Sequence, residues 1–200
     1  MRIGVDFDNT IVCYDGLFYR LVARRHLLPP ELPPTKGRIR DFLRRAGQEA
    51  MWTELQGEAY GPRILEATAF PGVLQFFRHC RDRGWQTIVV SHKTRHPIRG
   101  DGHDLHLAAH RWLTVNGFYD ATQGALTPEQ VYFELTKQAK LDRIAALRCD
   151  TFIDDLPEFL AEPGFPGGVR RILFDPSGDV EGDTLPTRAG SWADIEALLS

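Results

Sequence analysis

The feature that most constrains this chain is a pair of carboxylates directly after its first apolar run. The run over residues 3–7 has no helical period and predicts a short buried strand, which ends in the sequence Asp-Phe-Asp-Asn-Thr at residues 6–10. Ligands of open α/β sheets bind at the carboxyl ends of the strands, so we expect Asp6 and Asp8 at the mouth of a crevice. Acids this close repel unless a cation lies between them, one is protonated, or the loop turns them into solvent. An ordinary polar turn is the alternative interpretation.

Composition limits the class of protein. The chain has 200 residues, of which 42% are hydrophobic and 26% charged, which fits one globular domain with room for an insertion. A net charge of -3 argues against a surface that coats nucleic acid, so the expected partner is a small molecule and not a nucleic acid polymer. The three cysteines have no paired spacing, which disfavours a disulfide framework and a cysteine zinc site and favours a reducing cytoplasm. No secretory leader and no apolar run long enough to span a membrane is found, so we expect no membrane partner.

Residues 13–68 form a region in which apolar residues recur at helical spacing and no good strand candidate occurs. A proline-rich run at residues 29–34 must break the chain between the first two helices. The region is locally basic and allows two interpretations, a set of solvated helix faces or a lid whose arginines meet an anionic substrate. The basic residues are Arg20, Arg24, Arg25, Lys36, Arg38, Arg40, Arg44, Arg45 and Arg63.

Helices and apolar strands alternate from Phe70 onward, which is typical of a parallel α/β sheet. Ser91 follows one predicted strand, and Thr136 precedes a helix whose first turns carry Lys137 and Lys140. The predicted elements are a helix over Val73–Arg83, strands over Thr87–Val90, Val131–Phe133, Cys149–Ile153 and Val169–Phe174, and a closing helix capped by Ser191.

A second pair of acids, Asp154 and Asp155, follows the strand over Cys149–Ile153. Four carboxylates from two parallel strands would then converge at one edge of the sheet and repel each other unless a divalent hard cation lies among them. The sequence therefore predicts a magnesium site that includes Asp6, Asp8 and this second pair.

Five of the seven histidines lie between His92 and Asp120. His103, His106 and His110 have the spacing of one helix face, with a helix starting near Asp104. A zinc site is disfavoured because no acid or cysteine completes the ligand set. The favoured interpretation is a loop near the substrate followed by a packed helix.

These residues together resemble the motifs of the haloacid dehalogenase-like (HAD) superfamily of phosphoryl-transfer hydrolases. The resemblance covers residues 1–12 and 69–200 as the core, with residues 13–68 where members place a helical cap. The matching positions are residues 6–10 for the first motif, Ser91 for the second, Lys140 or Lys137 for the third, and Asp154-Asp155 for the fourth; Asn9 stands where many members carry glycine.

The resemblance implies a three-layer Rossmann-like fold and a magnesium-dependent phosphatase. It implies that Asp6 attacks phosphorus to form an aspartyl-phosphate, and that Asp8, with a raised pKa, protonates the leaving alcohol and later deprotonates water. Mg²⁺ would be held by Asp6, the backbone carbonyl of Asp8, and Asp155, with Asp154 in support. The implied substrate-binding residues are Thr10, Ser91, His92 and Lys140, which is preferred to Lys137 for its spacing from the fourth motif.

The implied substrate is a small phosphorylated metabolite, with a nucleotide or a sugar phosphate favoured, and the expected assembly is a monomer or homodimer. Asp8 favours hydrolysis of a phosphate ester, because dehalogenases of the superfamily lack an acid there and the transporting ATPases carry threonine. A phosphomutase remains an alternative, since it uses the same pair of acids. A non-catalytic HAD-like binding domain is the other alternative.

Overall fold

The computed structural model describes residues 1–26, 31–120, 122, 124–180 and 187–200. It shows an α/β protein with eight strands and eight α-helices in the described residues. In chain order they are β1 (Arg2–Val5), β2 (Val12–Cys13), α1 (Asp15–Ala23), α2 (Lys36–Arg45), α3 (Glu49–Tyr60), β3 (Thr68–Ala69), α4 (Val73–Asp82), β4 (Gln86–His92), α5 (Leu105–Val115), β5 (Val131–Glu134), α6 (Lys137–Ala146), β6 (Thr151–Asp154), α7 (Pro157–Leu160), β7 (Arg170–Phe174), β8 (Thr187–Ala189) and α8 (Trp192–Leu199).

Six of these strands form one parallel sheet in the order β5-β4-β1-β6-β7-β8. Strand β1 lies between β4 and β6, with Val5 opposite Val89 on one side and Ile153 on the other. The carboxyl ends of these three strands are therefore neighbours, which is the arrangement that the sequence predicts for its two acidic pairs.

Each face of the sheet is covered by its own apolar core, which makes three layers. One core joins Val5 and Val89 to helices α4, α5 and α8, and the other joins Ile88 and Phe152 to helices α6 and α7. Gly4 permits the second core to close, because a Cβ atom there would lie 2.5 Å from the Phe152 ring. The predicted three-layer Rossmann-like class is confirmed.

Helices α1, α2 and α3 form a unit that we call the helical insertion. Phe18 of α1 stacks on Trp52 of α3 at 4.8 Å between ring centroids, and α2 buries Ile39 and Leu43. The expectation of no strand in residues 13–68 is wrong at both ends, where the chain entering the insertion and the chain leaving it pair as the antiparallel strands β2 and β3. The predicted break between the first two helices lies between α1 and α2, although Pro29 and Pro30 are outside the described residues.

The other predicted elements are confirmed to within two residues, with two differences. Strand β4 continues through Ser91 to His92, because these residues pair with Phe133 and Glu134 of β5. The short helix α7 and the short edge strand β8 were not predicted. Among the described residues, no helix combines the length and the apolar character that crossing a membrane requires.

Candidate active site

The loop after β1 presents two carboxylates at the sheet edge. The Asp6 backbone N–H still donates to the Ile153 carbonyl at 2.9 Å, and the chain then turns so that two backbone N–H groups donate to the Phe7 carbonyl. Asn9 takes a left-handed conformation with φ of 63° in this turn. Asparagine and glycine tolerate that conformation best, which explains why either suits this position.

Asp6, Asp154 and Asp155 form what we call the acidic cluster, with one carboxylate oxygen of each within 4.8 Å of the others. Lys140 enters the cluster from α6, with its Nζ 2.6 Å from Asp6 Oδ1 and 2.6 Å from Asp154 Oδ2. The Lys140 side chain is 2% exposed and that of Asp154 is fully buried. The structure thus brings the end of β1 to a helix and a strand end that lie more than a hundred residues further along the chain.

The charges of the acidic cluster are not balanced by its own lysine. Burial raises the pKa of Asp154 above its ordinary value, and the nearby charge of Asp6 adds to this although Lys140 opposes it. Burial and the charge of Asp154 likewise raise the pKa of Asp155. Three carboxylates with one ammonium favour a further cation, and clustered oxygen donors fit Mg²⁺.

Two hydroxyls beside the cluster are buried without a partner. Thr10 Oγ1 and Ser91 Oγ have no hydrogen-bond partner in the described structure, and neither does Asn9 Oδ1. Thr10 is fully buried and Ser91 is 1% exposed. Leaving a buried hydroxyl unpaired costs about 1–3 kcal/mol. Such groups at the carboxyl edge of a parallel sheet indicate a bound polar ligand.

Asp8 belongs to a different environment from Asp6. The Lys93 Nζ lies 2.9 and 2.8 Å from its two carboxylate oxygens, and the Tyr14 hydroxyl donates to Asp8 Oδ1 at 2.7 Å. Burial would raise the pKa of Asp8, but the charges of Lys93 and Lys36 and these hydrogen bonds lower it below its ordinary value. The expectation of a raised pKa is therefore wrong for this structure, because it did not take account of the positions of Lys93 and Lys36 beside Asp8. The Asp8 carboxylate also lies outside the acidic cluster.

Lys36, the first residue of α2, brings a second ammonium group toward Asp8. Its Nζ lies 5.7 Å from the centroid of the Tyr14 ring and 5.5 Å from that of Tyr60. Burial opposes its charge, but the Tyr60 hydroxyl and the carboxylates of Asp155 and Asp8 raise the pKa of Lys36 above its ordinary value. Lys36 therefore stays charged.

A cleft with a volume of about 180 Å³ opens beside Asp8, between helix α3 and the loop that follows β4. Gly57 of α3 sets the width of this contact, because a Cβ atom there would lie 2.6 Å from the Arg99 carbonyl oxygen of the loop. We call this space the cleft; it is lined by Asp8, Thr53, Gln56, Gly57, Tyr60, His92, Lys93, Thr94, Pro97, Ile98 and Leu105.

The remaining predicted binding residues are placed as follows. His92 lines the cleft and is exposed. Lys137 is exposed and its Nζ lies 4.0 Å from Glu162, so Lys140 is the lysine that reaches the acidic cluster.

The sequence leaves two interpretations for the arginines of the helical insertion, solvated helix faces or a lid that meets an anionic substrate, and their ion pairs favour the first. Several are paired with nearby carboxylates, so the cation that the insertion directs toward Asp8 is Lys36. These pairs are Arg25–Glu58, Arg38–Asp179, Arg40–Asp41, Arg44–Glu49 and Arg63–Glu66.

Two histidines of α5 have structural contacts. His106 Nε2 lies 2.8 Å from the Lys93 carbonyl oxygen, and His110 Nδ1 lies 2.7 Å from the Tyr119 hydroxyl. His103 precedes α5, whose N-cap is Asp104 as predicted. Within the described ranges, the acidic cluster is the only group of three or more His, Cys, Asp or Glu side chains placed to hold a metal ion.

Sequence reasoning missed the roles of Tyr14, Lys36 and Lys93. Lys93 could have been found, because it stands two residues after Ser91 in extended chain and so points to the same side of the strand. Tyr14 and Lys36 approach Asp8 through the packing of the helical insertion, for which the sequence carries no local signal.

Comparison with known proteins gives a fold. No protein-family model matches the chain, and no curated protein matches it. Three solved structures are similar over nearly their whole length. A HAD family hydrolase from Deinococcus radiodurans R1 with bound phosphate and sodium is 16% identical, with a TM-score of 0.58 over 99% of this chain and 94% of that one.

The HAD-hydrolase YfnB from Bacillus subtilis, bound to magnesium, is 10% identical, with a TM-score of 0.55 over 100% of this chain and 98% of that one. A dehalogenase is 11% identical, with a TM-score of 0.58 over 98% of this chain and 96% of that one. Identities this low establish architecture and not activity. The chain has the fold of the haloacid dehalogenase-like hydrolases.

Proposed function

We propose that the protein is a magnesium-dependent phosphatase that hydrolyses a small-molecule phosphate monoester through an aspartyl-phosphate on Asp6. The observation that carries this proposal is the pair of buried hydroxyls of Thr10 and Ser91, which have no partner in the described structure and lie in the loop after β1 and near the end of its neighbour β4. A phosphoryl group would satisfy both. Two structures of this fold hold phosphate and magnesium respectively, which supports the same chemistry here.

Asp6 suits the role of nucleophile. The Lys140 Nζ lies 2.6 Å from its Oδ1, which leaves Oδ2 to attack phosphorus. The Asp6–phosphorus bond forms as the bond from phosphorus to the leaving oxygen breaks. The hydroxyls of Thr10 and Ser91 would donate to the other phosphoryl oxygens and hold the group in line.

Asp8 is placed to move the protons. In the first step it would give a proton to the leaving oxygen, and in the second its carboxylate would take one from the water that cleaves the aspartyl-phosphate. The structure has Asp8 held as a carboxylate by Lys93, which is the form that the second step needs. A dianionic phosphoryl group bound beside it would oppose this charge and favour the protonated form that the first step needs.

The acidic cluster fits a resident Mg²⁺, with Asp6, Asp154 and Asp155 as side-chain ligands and the Asp8 carbonyl as a backbone ligand. The ion would supply positive charge that offsets the charge of the transferring phosphoryl group. The helical insertion would act as a cap over the leaving group, because α2 and α3 contribute Lys36 and Tyr60 to the space beside Asp8.

The presence of Asp8 favours a phosphatase over a dehalogenase, because an alkoxide leaving group requires a proton and a halide does not. A phosphomutase would use the same two acids and differs only in which molecule next reaches the intermediate.

The test is release of phosphate from p-nitrophenyl phosphate with and without Mg²⁺. We expect turnover that EDTA abolishes, that Asp6→Asn reduces by about 10⁴-fold or more, and that the exposed-lysine control Lys137→Met leaves unchanged. Full activity of Asp6→Asn would overturn the proposal. Activity that requires a bisphosphate activator would indicate a phosphomutase, and phosphate binding without turnover would indicate a non-catalytic domain.

A further inference from the structure

We propose that Lys36 and Lys93 form a second anion subsite in the cleft, so that the preferred substrate is a small phosphate monoester whose leaving group carries a carboxylate or similar anionic group. This inference rests on the proposed phosphatase activity and names its substrate class.

The first step of the argument is the position of the two ammonium groups. Both approach the ring of Tyr60, with the Lys93 Nζ 4.7 Å and the Lys36 Nζ 5.5 Å from its centroid. Lys93 and Tyr60 line the cleft together with Asp8. Lys36 is not a lining residue but lies against the same Tyr60 ring, so both ammonium groups are close to the space where the leaving group must lie if Asp8 gives it a proton.

The second step is that one of the two cations lacks a carboxylate partner. Lys93 is held by Asp8, but no carboxylate oxygen of the described residues lies within 4.0 Å of the Lys36 Nζ. Its hydrogen-bond partner is the neutral Tyr60 hydroxyl, and its side chain is only partly exposed. An ammonium group has three donors, so an incoming anion can accept from those that Tyr60 leaves free.

The third step is the size of the cleft. Its volume of about 180 Å³ is close to the roughly 150 Å³ of a cavity that binds benzene, so a leaving group of a few heavy atoms fits within it. Gly57 fixes this width through its contact with the Arg99 carbonyl. Thr53 and Gln56 add polar side chains that suit a short hydroxylated chain.

The test compares two substrates with the same carbon skeleton, 3-phosphoglycerate and glycerol 3-phosphate, which differ by a carboxylate. We expect kcat/KM of the wild type to favour 3-phosphoglycerate by about tenfold or more, as for a charge-assisted hydrogen bond. Lys36→Met should remove this preference mainly by raising KM for 3-phosphoglycerate. Arg44→Met, on the outer surface of the same helix, should retain it.

Two results would overturn the subsite while leaving the phosphatase in place. One is a wild-type preference for glycerol 3-phosphate or for a nucleoside monophosphate. The other is an equal loss of kcat/KM on both substrates in Lys36→Met, which would assign Lys36 to the transferring phosphate. Thermal unfolding of each variant checks that it is folded. Lys36 is preferred to Lys93 for the substitution because it has no buried ion pair to lose.

A binding measurement separates failure of the subsite from failure of the proposed function. Glycerate, the product that carries only the second anion, should bind the wild type and not Lys36→Met in ligand-observed NMR. Binding of this kind without turnover of any phosphate ester would support the subsite and reject the phosphatase. Absence of glycerate binding to the wild type would overturn the subsite.

Discussion

The two sides of the candidate active site carry opposite imbalances of charge. In the acidic cluster, three carboxylates share the single ammonium group of Lys140. Beside the cleft, the single carboxylate of Asp8 faces the two ammonium groups of Lys93 and Lys36. One side thus favours a cation and the other an anion, although both lie at the same edge of one sheet.

The two sides also differ in how the chain builds them. The acidic cluster uses residues at the ends of β1 and β6 and one helix packed on the sheet, all within the parallel core. The cleft uses the helical insertion and the loop after β4, which meet across Gly57. Chemistry common to a fold is expected on rigid strand ends, and selectivity on the connecting segments.

Removing Lys140 from the acidic cluster should have the largest effect on the free energy of unfolding. Lys140→Met leaves the buried carboxylates of Asp6 and Asp154 without their ammonium partner, so we expect the free energy of unfolding to fall by about 3–5 kcal/mol. Mg²⁺ should restore part of the loss, because it supplies the missing positive charge. Urea denaturation with and without Mg²⁺ measures both effects.

Lys137→Met is the matched control, because Lys137 lies on the same helix but is exposed, with only a distant contact to Glu162. Its expected change is below about 0.5 kcal/mol. Equal losses in the two variants would show that the acidic cluster does not depend on its lysine for charge balance.

The acidic cluster could be predicted from sequence because each member follows a local rule. Asp6 and Asp154 end apolar strands, and parallel strands bring such ends together whatever their separation in the chain. Lys140 follows Thr136, a recognisable N-cap whose hydroxyl accepts from the Ala139 N–H, so its helix could be located and its spacing counted.

The cleft could not be predicted in the same way. The approach of Tyr14 and Lys36 to Asp8 depends on how three short helices pack, and no period or motif encodes that packing. The expected rise in the pKa of Asp8 was wrong for the same reason, because the sequence does not show that Lys93 lies beside it. Composition does not show which of the arginines are already paired, as Arg44 is with Glu49, so it could not decide between solvated helix faces and a lid.

Metal binding should sharpen the comparison on the acidic side. Mg²⁺ at about 100 times its dissociation constant should raise the free energy of unfolding of the wild type by about 2.7 kcal/mol. Asp155→Asn should weaken this response, whereas Asp82→Asn, on the exposed end of α4 and paired with Arg81, should not. Thermal unfolding over a Mg²⁺ titration gives the measurement. A response of Asp155→Asn equal to that of the wild type would contradict the assigned ligand set.

The width of the cleft can be changed at Gly57. A Cβ atom there would lie 2.6 Å from backbone of the opposing loop, which cannot yield as a flexible side chain does. We expect Gly57→Ala to lower the free energy of unfolding by about 1–3 kcal/mol and to raise KM by displacing the loop. Gly37→Ala in α2, where no atom lies within 4 Å, should stabilise by about 0.4–1 kcal/mol. Unchanged KM in Gly57→Ala would separate the loop from substrate binding.

The smallest effect is expected at the far end of the same loop, where Asp104 caps α5 and pairs with Arg95 at 3.0 Å. The pKa of Asp104 lies below its ordinary value. The Leu107 N–H, which donates to the Asp104 carboxylate, lowers it most; burial opposes this, and Arg95 lowers it further. A lowered pKa in the folded state means that the stabilisation is present above the unfolded pKa and is lost as the pH falls through the folded one. Asp104→Asn should therefore cost below about 1 kcal/mol at pH near 7 and nothing once the pH is well below about 4. Urea denaturation at both pH values measures this, with Asp101→Asn as the control in the same loop. A difference in the free energy of unfolding between wild type and Asp104→Asn that persists in acid would show that the amide disrupts the cap itself and that the charge is not the cause.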